Sequence, residues 1–145
     1  MGETLTHRLV LPGDANHHGT LYAGALLRIA LEAGYATAWR HVGPEANLVL
    51  RRVHNLECLR PVPVGAVVEI RGAVLHRARA YVVTGLIGSP LPDGNGPWLE
   101  GLLGFAQIDE GGRPVPIPGE AEVAPPAGEE WARLADRLRK LLRVR

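Results

Sequence analysis

The sequence predicts an α+β fold in which a curved antiparallel sheet wraps around one central helix, with an amphipathic helix added at the C-terminus. Three observations lead there. The stretch from about Leu21 to His41 is rich in Ala and Leu and carries only Arg28, Glu32 and Arg40 as charges; a helix apolar nearly all round is one that other structure encloses. Consecutive strand-like segments with turn signals between them follow it, and one sheet built from such segments buries its apolar face by curling over the helix. From Glu129 onward, Trp131, Leu134, Leu138, Leu141 and Leu142 form a single apolar stripe. Acids at its start and bases at its end suit the helix dipole.

Taken in order, Thr4 to Leu11 reads as a short strand ended by Pro12-Gly13. The polar loop to Thr20 leads into the central helix, whose small residues (Ala23, Gly24, Ala25, Ala30, Ala33, Gly34, Ala36) let other backbone come close. Gly43-Pro44 breaks it. Leu48 to Cys58 is the next strand, and Arg60-Pro61-Val62-Pro63-Val64-Gly65 turns the chain. Val68, Ile70, Gly72 and Val74 then alternate with Glu69, Arg71 and Ala73, the period of a half-buried antiparallel strand. Tyr81 to Ile87 and Trp98 to Ile108 complete the sheet, with the Pro- and Gly-rich loop Ser89 to Pro97 between them. Asp109-Glu110-Gly111-Gly112 closes the last strand, and Pro114 to Gly128 reads as an extended linker unable to pair in a sheet. The division expected is a domain over residues 1–118 and a linker plus helix over 119–145.

Composition narrows the function. At 145 residues the chain supports one domain with one core, and 46% apolar with 21% charged residues is ordinary for a globular protein. Arg28 and Glu32 interrupt the best apolar run, and the N-terminus lacks a basic-then-apolar signal pattern, so a cytoplasmic protein is expected. A formal charge of +1 argues against bulk nucleic-acid binding. The basic side of the last helix (Arg133, Arg137, Arg139, Lys140, Arg143, Arg145) fits packing on the domain or a neighbouring subunit better than a membrane surface. Cys58, the single cysteine, is expected as a small core residue in an alternating strand.

The chemistry concentrates in Leu11-Pro12-Gly13-Asp14-Ala15-Asn16-His17-His18-Gly19-Thr20-Leu21-Tyr22-Ala23-Gly24. A polar loop with an amide, imidazoles and glycines, aimed at the start of a buried helix, can hold an anionic or carbonyl oxygen against unpaired backbone N–H groups.

These residues carry a resemblance. Pro12, Asp14, Asn16, Gly19, Leu21, Tyr22 and Gly24 match the Pro-x-Asp-x-Asn-x-x-Gly-x-hydrophobic-aromatic-Gly-Gly entry to the central helix of the hotdog-fold acyl-CoA thioesterases, acyl-CoA hydrolase branch, with Ala23 in place of the first glycine. Leu59-Arg60-Pro61-Val62-Pro63-Val64-Gly65 and Asp109 to Pro116 resemble two later blocks of the family, so the likeness covers about residues 8 to 118. It departs at two places. The family's helix Asp, fifteen residues after the Asn, falls on Leu31, with Glu32 next to it. The Gly-x-Ser-Ser-like strand start associated with coenzyme A contact is Ala78-Arg79-Ala80-Tyr81.

The resemblance implies a hotdog fold, hydrolysis of acyl-CoA to free acid and CoA, no cofactor or metal, and a homo-oligomer, a dimer or an assembly of dimers, in which the Asn and the carboxylate of one site come from different protomers. Asn16, Glu32 and Gly24 are then the expected catalytic residues. The amides of Tyr22, Ala23 and Gly24 are candidate oxyanion donors, unless Thr20 or water caps them. Asn16 orients the attacking water or the thioester oxygen, or is simply a turn residue. Glu32 is the nearest general base, although one helical step rotates it by about 100° from Leu31; the plainer reading is an Arg28–Glu32 pair at i and i+4. His18, Tyr22, Ala23, Arg60, Arg77 and Arg79 are expected to contact substrate, the arginines through the CoA phosphates. His17 and His18 offer an alternative base near neutral pH. Two other functions stay open. A protein that binds acyl-CoA without turnover would fit Leu31 and the lost Ser, and Gly13-Asp14-Ala15-Asn16-His17-His18-Gly19 echoes the Gly-Asp-x-Asn-x-x-His segment of hotdog enoyl-CoA hydratases with its histidine one residue early.

Overall fold

A computed structural model describes residues 2–92, 94–119 and 122–143. Strand β1 (Thr4–Leu9) leads through a short 3-10 turn (Pro12–Asp14) to helix α1 (Ala23–Val42). Strands β2 (Leu48–Cys58), β3 (Val67–Ala78), β4 (Tyr81–Gly88) and β5 (Leu99–Gln107) follow, and helix α2 (Glu129–Arg143) ends the described chain. The strands form one antiparallel sheet in the order β1-β3-β4-β5-β2. Helix α1 packs against all five, which is the hotdog arrangement that the sequence predicts.

The two central strands show why their segments read as continuous apolar runs. Every residue of β5 is buried, and so is every residue of β4 after Tyr81. Val82, Leu86, Leu99, Leu103 and Phe105 join Ile29, Ala30 and Ala33 of α1 in the main core. Val83, Ile87 and Leu102 join Trp131, Leu134 and Leu138 of α2 in a second cluster. A sheet covered on both faces loses its polar alternation. The approach of α1 to β5 is close: a Cβ on Gly34 would lie 2.6 Å from Leu103 Cδ1.

α2 is fixed by charge as well as by its stripe. Buried Glu100 accepts hydrogen bonds from Arg133 and Arg137, while Arg71 bonds Glu3 and Glu130, and Trp131 Nε1 donates to Glu3 Oε2 at 2.5 Å. Arg133 and Arg137 thus serve packing on the sheet, while Arg139 and Lys140 pair with Asp136 of the same helix. Arg145 lies outside the described residues.

Four expectations need correction. α1 is not enclosed on every side within one chain: Tyr22, Leu27, Tyr35 and Trp39 are exposed at 38–43%, because the single sheet covers only the face carrying Ala25, Ile29, Ala33 and Thr37. Cys58 is exposed rather than in the core; β2 is an edge strand, and two register irregularities (Leu50/Arg52 and Val53/Asn55) break its alternation. The linker does pair. Prolines at 114, 116 and 118 leave the intervening N–H groups on one side, and Val115 N donates to Gln107 O and Ile117 N to Arg79 O. The i, i+4 pair between Arg28 and Glu32 does not form, for reasons given with the site.

Candidate active site

The loop before α1 is built around two side chains. Asp14 is buried; its carboxylate accepts from Leu11 N at 3.0 Å and from Arg28 Nη2 at 3.3 Å, while its carbonyl accepts from Tyr22 N at 2.9 Å. Asn16 Oδ1 accepts from His18 N (2.9 Å), Thr20 N (3.2 Å) and Thr20 Oγ1 (3.2 Å), and its Nδ2 lies 3.1 Å from Thr20 Oγ1. This is an Asx-type turn closed on itself. Gly19, at φ 76°, makes the tight return that side chains resist. Backbone bonds from Leu21 N to Val62 O and from Val64 N to Gly19 O then clamp the loop to the turn after β2.

The result is an open helix start. Tyr22 is the N-cap and contributes no side-chain bond, and Thr20 is engaged by Asn16 rather than capping. The Tyr22 N–H is itself committed to Asp14 O, so the donors at the helix start are the amides of Ala23 and Gly24, both on exposed residues. The Tyr22 ring lies over Gly24, where a Cβ would meet Cε2 at 2.6 Å. One N–H of the Asn16 amide has no partner among the described residues, so the turn fixes the group while leaving a donor spare. His18 is exposed, its ring 3.9 Å from that of His17.

Glu32 lies eight residues beyond Gly24, about 12 Å along the helix. Its carboxylate accepts from Arg8 Nη1 of β1 at 2.7 Å and is half exposed. Arg28 turns instead to Asp14; each partner is nonlocal, which is why the i, i+4 reading fails. With Leu31, Tyr35, Leu50 and Phe105, Glu32 lines an almost wholly apolar cleft of about 360 Å³ on the uncovered side of α1. Tyr35 meets Phe105 edge-on at 5.9 Å.

The three candidate arginines differ. Arg60 Nη1 donates to the carbonyls of Asn95 and Gly96 at 3.3 and 3.5 Å and lies against Gly94, so it anchors the β4–β5 loop. Arg77 Nη2 donates to the carbonyls of Ile117, Pro118 and Gly119, and its Nη1 lies 3.2 Å from His41 Nε2. It straps the linker to the end of α1. Arg79 is exposed, pairs with no carboxylate among the described residues, and lines a cavity of about 330 Å³ with Arg51, Tyr81 and Pro114. Sequence reasoning missed Arg51 and Arg8; the Arg51-Arg52 doublet inside an apolar strand was the available signal, and Arg8 gave none.

A five-stranded antiparallel sheet folded on one helix is the hotdog architecture, and the comparisons with known proteins agree with it. The Thioesterase superfamily model matches residues 18–87, from the entry loop through most of β4. The human cytosolic acyl coenzyme A thioester hydrolase is 28% identical over 85 residues, 56% of this chain and 22% of its own length, so the match spans about a fifth of that relative. Among solved structures, an apo-hexameric acyl-CoA thioesterase is 28% identical, covers 97% of this chain and 88% of its own, and superposes with a TM-score of 0.77. The Staphylococcus aureus acyl-CoA hydrolase, solved with butyryl coenzyme A, coenzyme A and coenzyme A disulfide, is 25% identical over 98% of this chain and 86% of its own, TM-score 0.76. The chain thus shares the hotdog fold of these acyl-CoA thioesterases and is distantly similar to them in sequence.

Proposed function

We propose that this chain is a cytoplasmic acyl-CoA thioesterase that works as a homo-oligomer. The observation that carries the reading is the uncapped start of α1, whose exposed Ala23 and Gly24 amides can receive a thioester oxygen, with the Asn16 turn in the loop that leads into it. Donors fixed before the reaction stabilise the oxyanion without reorganising. Water adds to the thioester carbon as a base takes its proton; the oxyanion collapses, the C–S bond breaks, and the CoA thiolate leaves protonated by that same base, freeing the acid. Glu32 is the base. At about 12 Å along the axis from its own Gly24, it serves the helix start of another protomer, and the apolar faces that one chain leaves open on α1 and β2 are the surface for that pairing. Arg79, joined by Arg51, takes the CoA phosphates; His18, Tyr22 and Ala23 border the thioester.

A second reading has a specific observation behind it. Leu31 stands at the family's carboxylate position and Glu32 is already paired with Arg8, which favours a protein that binds acyl-CoA without turnover. Thiol release measured across acyl-CoAs of graded length, beside calorimetric binding of the same compounds, separates the two. Binding with no thiol release on any member rejects the thioesterase; water addition to an enoyl-CoA with no thiol released gives the hydratase.

A further inference from the structure

At the far end of α1 from the site just described, a cavity of about 410 Å³ opens between the last helical turn, β1, β3 and the linker. The seventeen residues from Gly24 to His41 place it about 25 Å from the helix start along the axis. Two cations, Arg40 and Arg77, stand on its polar wall with His41 and Thr4 beside them and Glu122 on the linker side. Val74 and Val123 are among the apolar residues of the wall.

Among the described residues neither guanidinium has a carboxylate partner. Arg40 Nη1 donates to Thr4 Oγ1 at 2.9 Å, and Arg77 bonds only the neutral carbonyls of residues 117–119 and the His41 ring. By contrast Arg8, Arg28, Arg71, Arg133 and Arg137 each face a carboxylate. Glu122, the acid that lines the cavity, is exposed and pairs with neither arginine among the described residues. Two cations without carboxylate partners on one concave wall make a positive potential that an anion relieves. The carbonyl bonds that fix Arg77 also preorganise it, so little rotamer freedom remains to be lost on binding. Burial and the neighbouring Arg77 hold the His41 pKa below its usual value, leaving at neutral pH an uncharged imidazole against Arg77. The cavity is at the small end of ligand sites.

We propose that this cavity is a second binding site, for an organic anion with one carboxylate head and a short apolar body. The head lies between Arg40 and Arg77 and the body against Val74 and Val123. The proposal concerns binding alone and stands whether or not the protein cleaves thioesters.

The test titrates the full chain near neutral pH with hexanoate, hexanol and inorganic phosphate by calorimetry. Hexanoate binds saturably; in Arg40→Gln its affinity falls by about tenfold or more, the loss expected for one charge-assisted contact, and Arg40→Lys keeps most of it. Val123→Trp, which fills the cavity from the linker and leaves both arginines in place, also abolishes binding. Absence of saturable hexanoate binding overturns the proposal. So does binding unchanged in a folded Arg40→Gln, or in Val123→Trp should Arg40→Gln fail to fold. Phosphate or hexanol binding as tightly as hexanoate refutes the amphipathic class of ligand.

Discussion

Two inactive variants that restore activity when mixed would establish that the site is shared between protomers. The structure fixes the size of the effect. A general base must come within hydrogen-bond reach of the proton it takes, directly or through one water, yet Glu32 lies about 12 Å along α1 from the donors at Gly24 of its own chain. If the proposed roles hold, Asn16→Ala removes a positioned donor and costs about 10²–10³ in turnover, and Glu32→Gln removes the proposed base and costs about 10²–10⁴. When chains carrying one substitution each assemble at random in equal amounts, half of the pairs are mixed, and each mixed pair holds one site with both Asn16 and Glu32 intact and one with neither. The mixture therefore regains about a quarter of wild-type activity per site, roughly two orders of magnitude above either parent, given two-fold symmetric pairing. The assay is thiol release from one acyl-CoA, with differently tagged chains produced together so that mixed pairs can be counted. A mixture that stays at the parents' level refutes the shared site. Full activity in Glu32→Gln alone, with loss in His18→Ala, transfers the role of base to the imidazole.

Four other outcomes follow from the same contacts. Light scattering gives a mass that is a multiple of 15.6 kDa, since the exposed apolar faces of α1 and β2 need covering; a monomer at micromolar concentration refutes it. Leu138→Ala, at a side chain 2% exposed between α2 and the sheet, lowers unfolding free energy by about 2–5 kcal/mol, read from urea denaturation. Gly34→Ala places a methyl 2.6 Å from Leu103 Cδ1 and 3.2 Å from Thr84 Oγ1; overpacking of about 1–3 kcal/mol outweighs or cancels a helix-propensity gain of about 1 kcal/mol, so the variant's urea midpoint does not exceed that of the wild type. His41 and His76 both have pKa values held below 6.5, chiefly by burial. The unfolded chain therefore takes up protons first, and stability present above about pH 6.5 is lost as pH falls towards the folded values. The denaturation midpoint drops between pH 7.5 and 5.5, and His41→Gln with His76→Gln flattens the change.

The fold was legible because its signals are local. Leu48–Cys58 has its exact bounds in the sequence, and Val67–Ala78, Tyr81–Gly88 and Leu99–Gln107 differ from the reading mainly by a residue or a few at the ends, since turn glycines and prolines bracket them. What the sequence withheld was partnership at a distance. Arg28 and Glu32 satisfy the helix-neighbour rule, but a buried Asp14 reached through the 3-10 turn and an Arg8 across on β1 are better placed for each. Arg60 and Arg77 carry the right group for phosphate, but that chain carbonyls also hold them is not visible in the sequence. An apolar helix surface reads the same whether a strand or a second chain covers it, so the sequence does not show that Tyr35 and Trp39 are exposed in one chain.

The same ambiguity bears on the chemistry. Leu31 and Glu32 belong to one apolar cleft, with the carboxylate one helical step from the family's position. A carboxylate so placed changes role according to what closes the cleft. Paired with Arg8 at 2.7 Å and open to water, it is a surface ion pair worth little; in a cleft closed by a second protomer that draws Arg8 away, its oxygens would be left to hold a water as a base must. Arg8→Gln separates the two roles: removing the competing cation leaves the assembly intact and raises, or leaves unchanged, the turnover if Glu32 is the base, whereas a fall in turnover with the mass unchanged would make the Arg8–Glu32 pair itself the working unit.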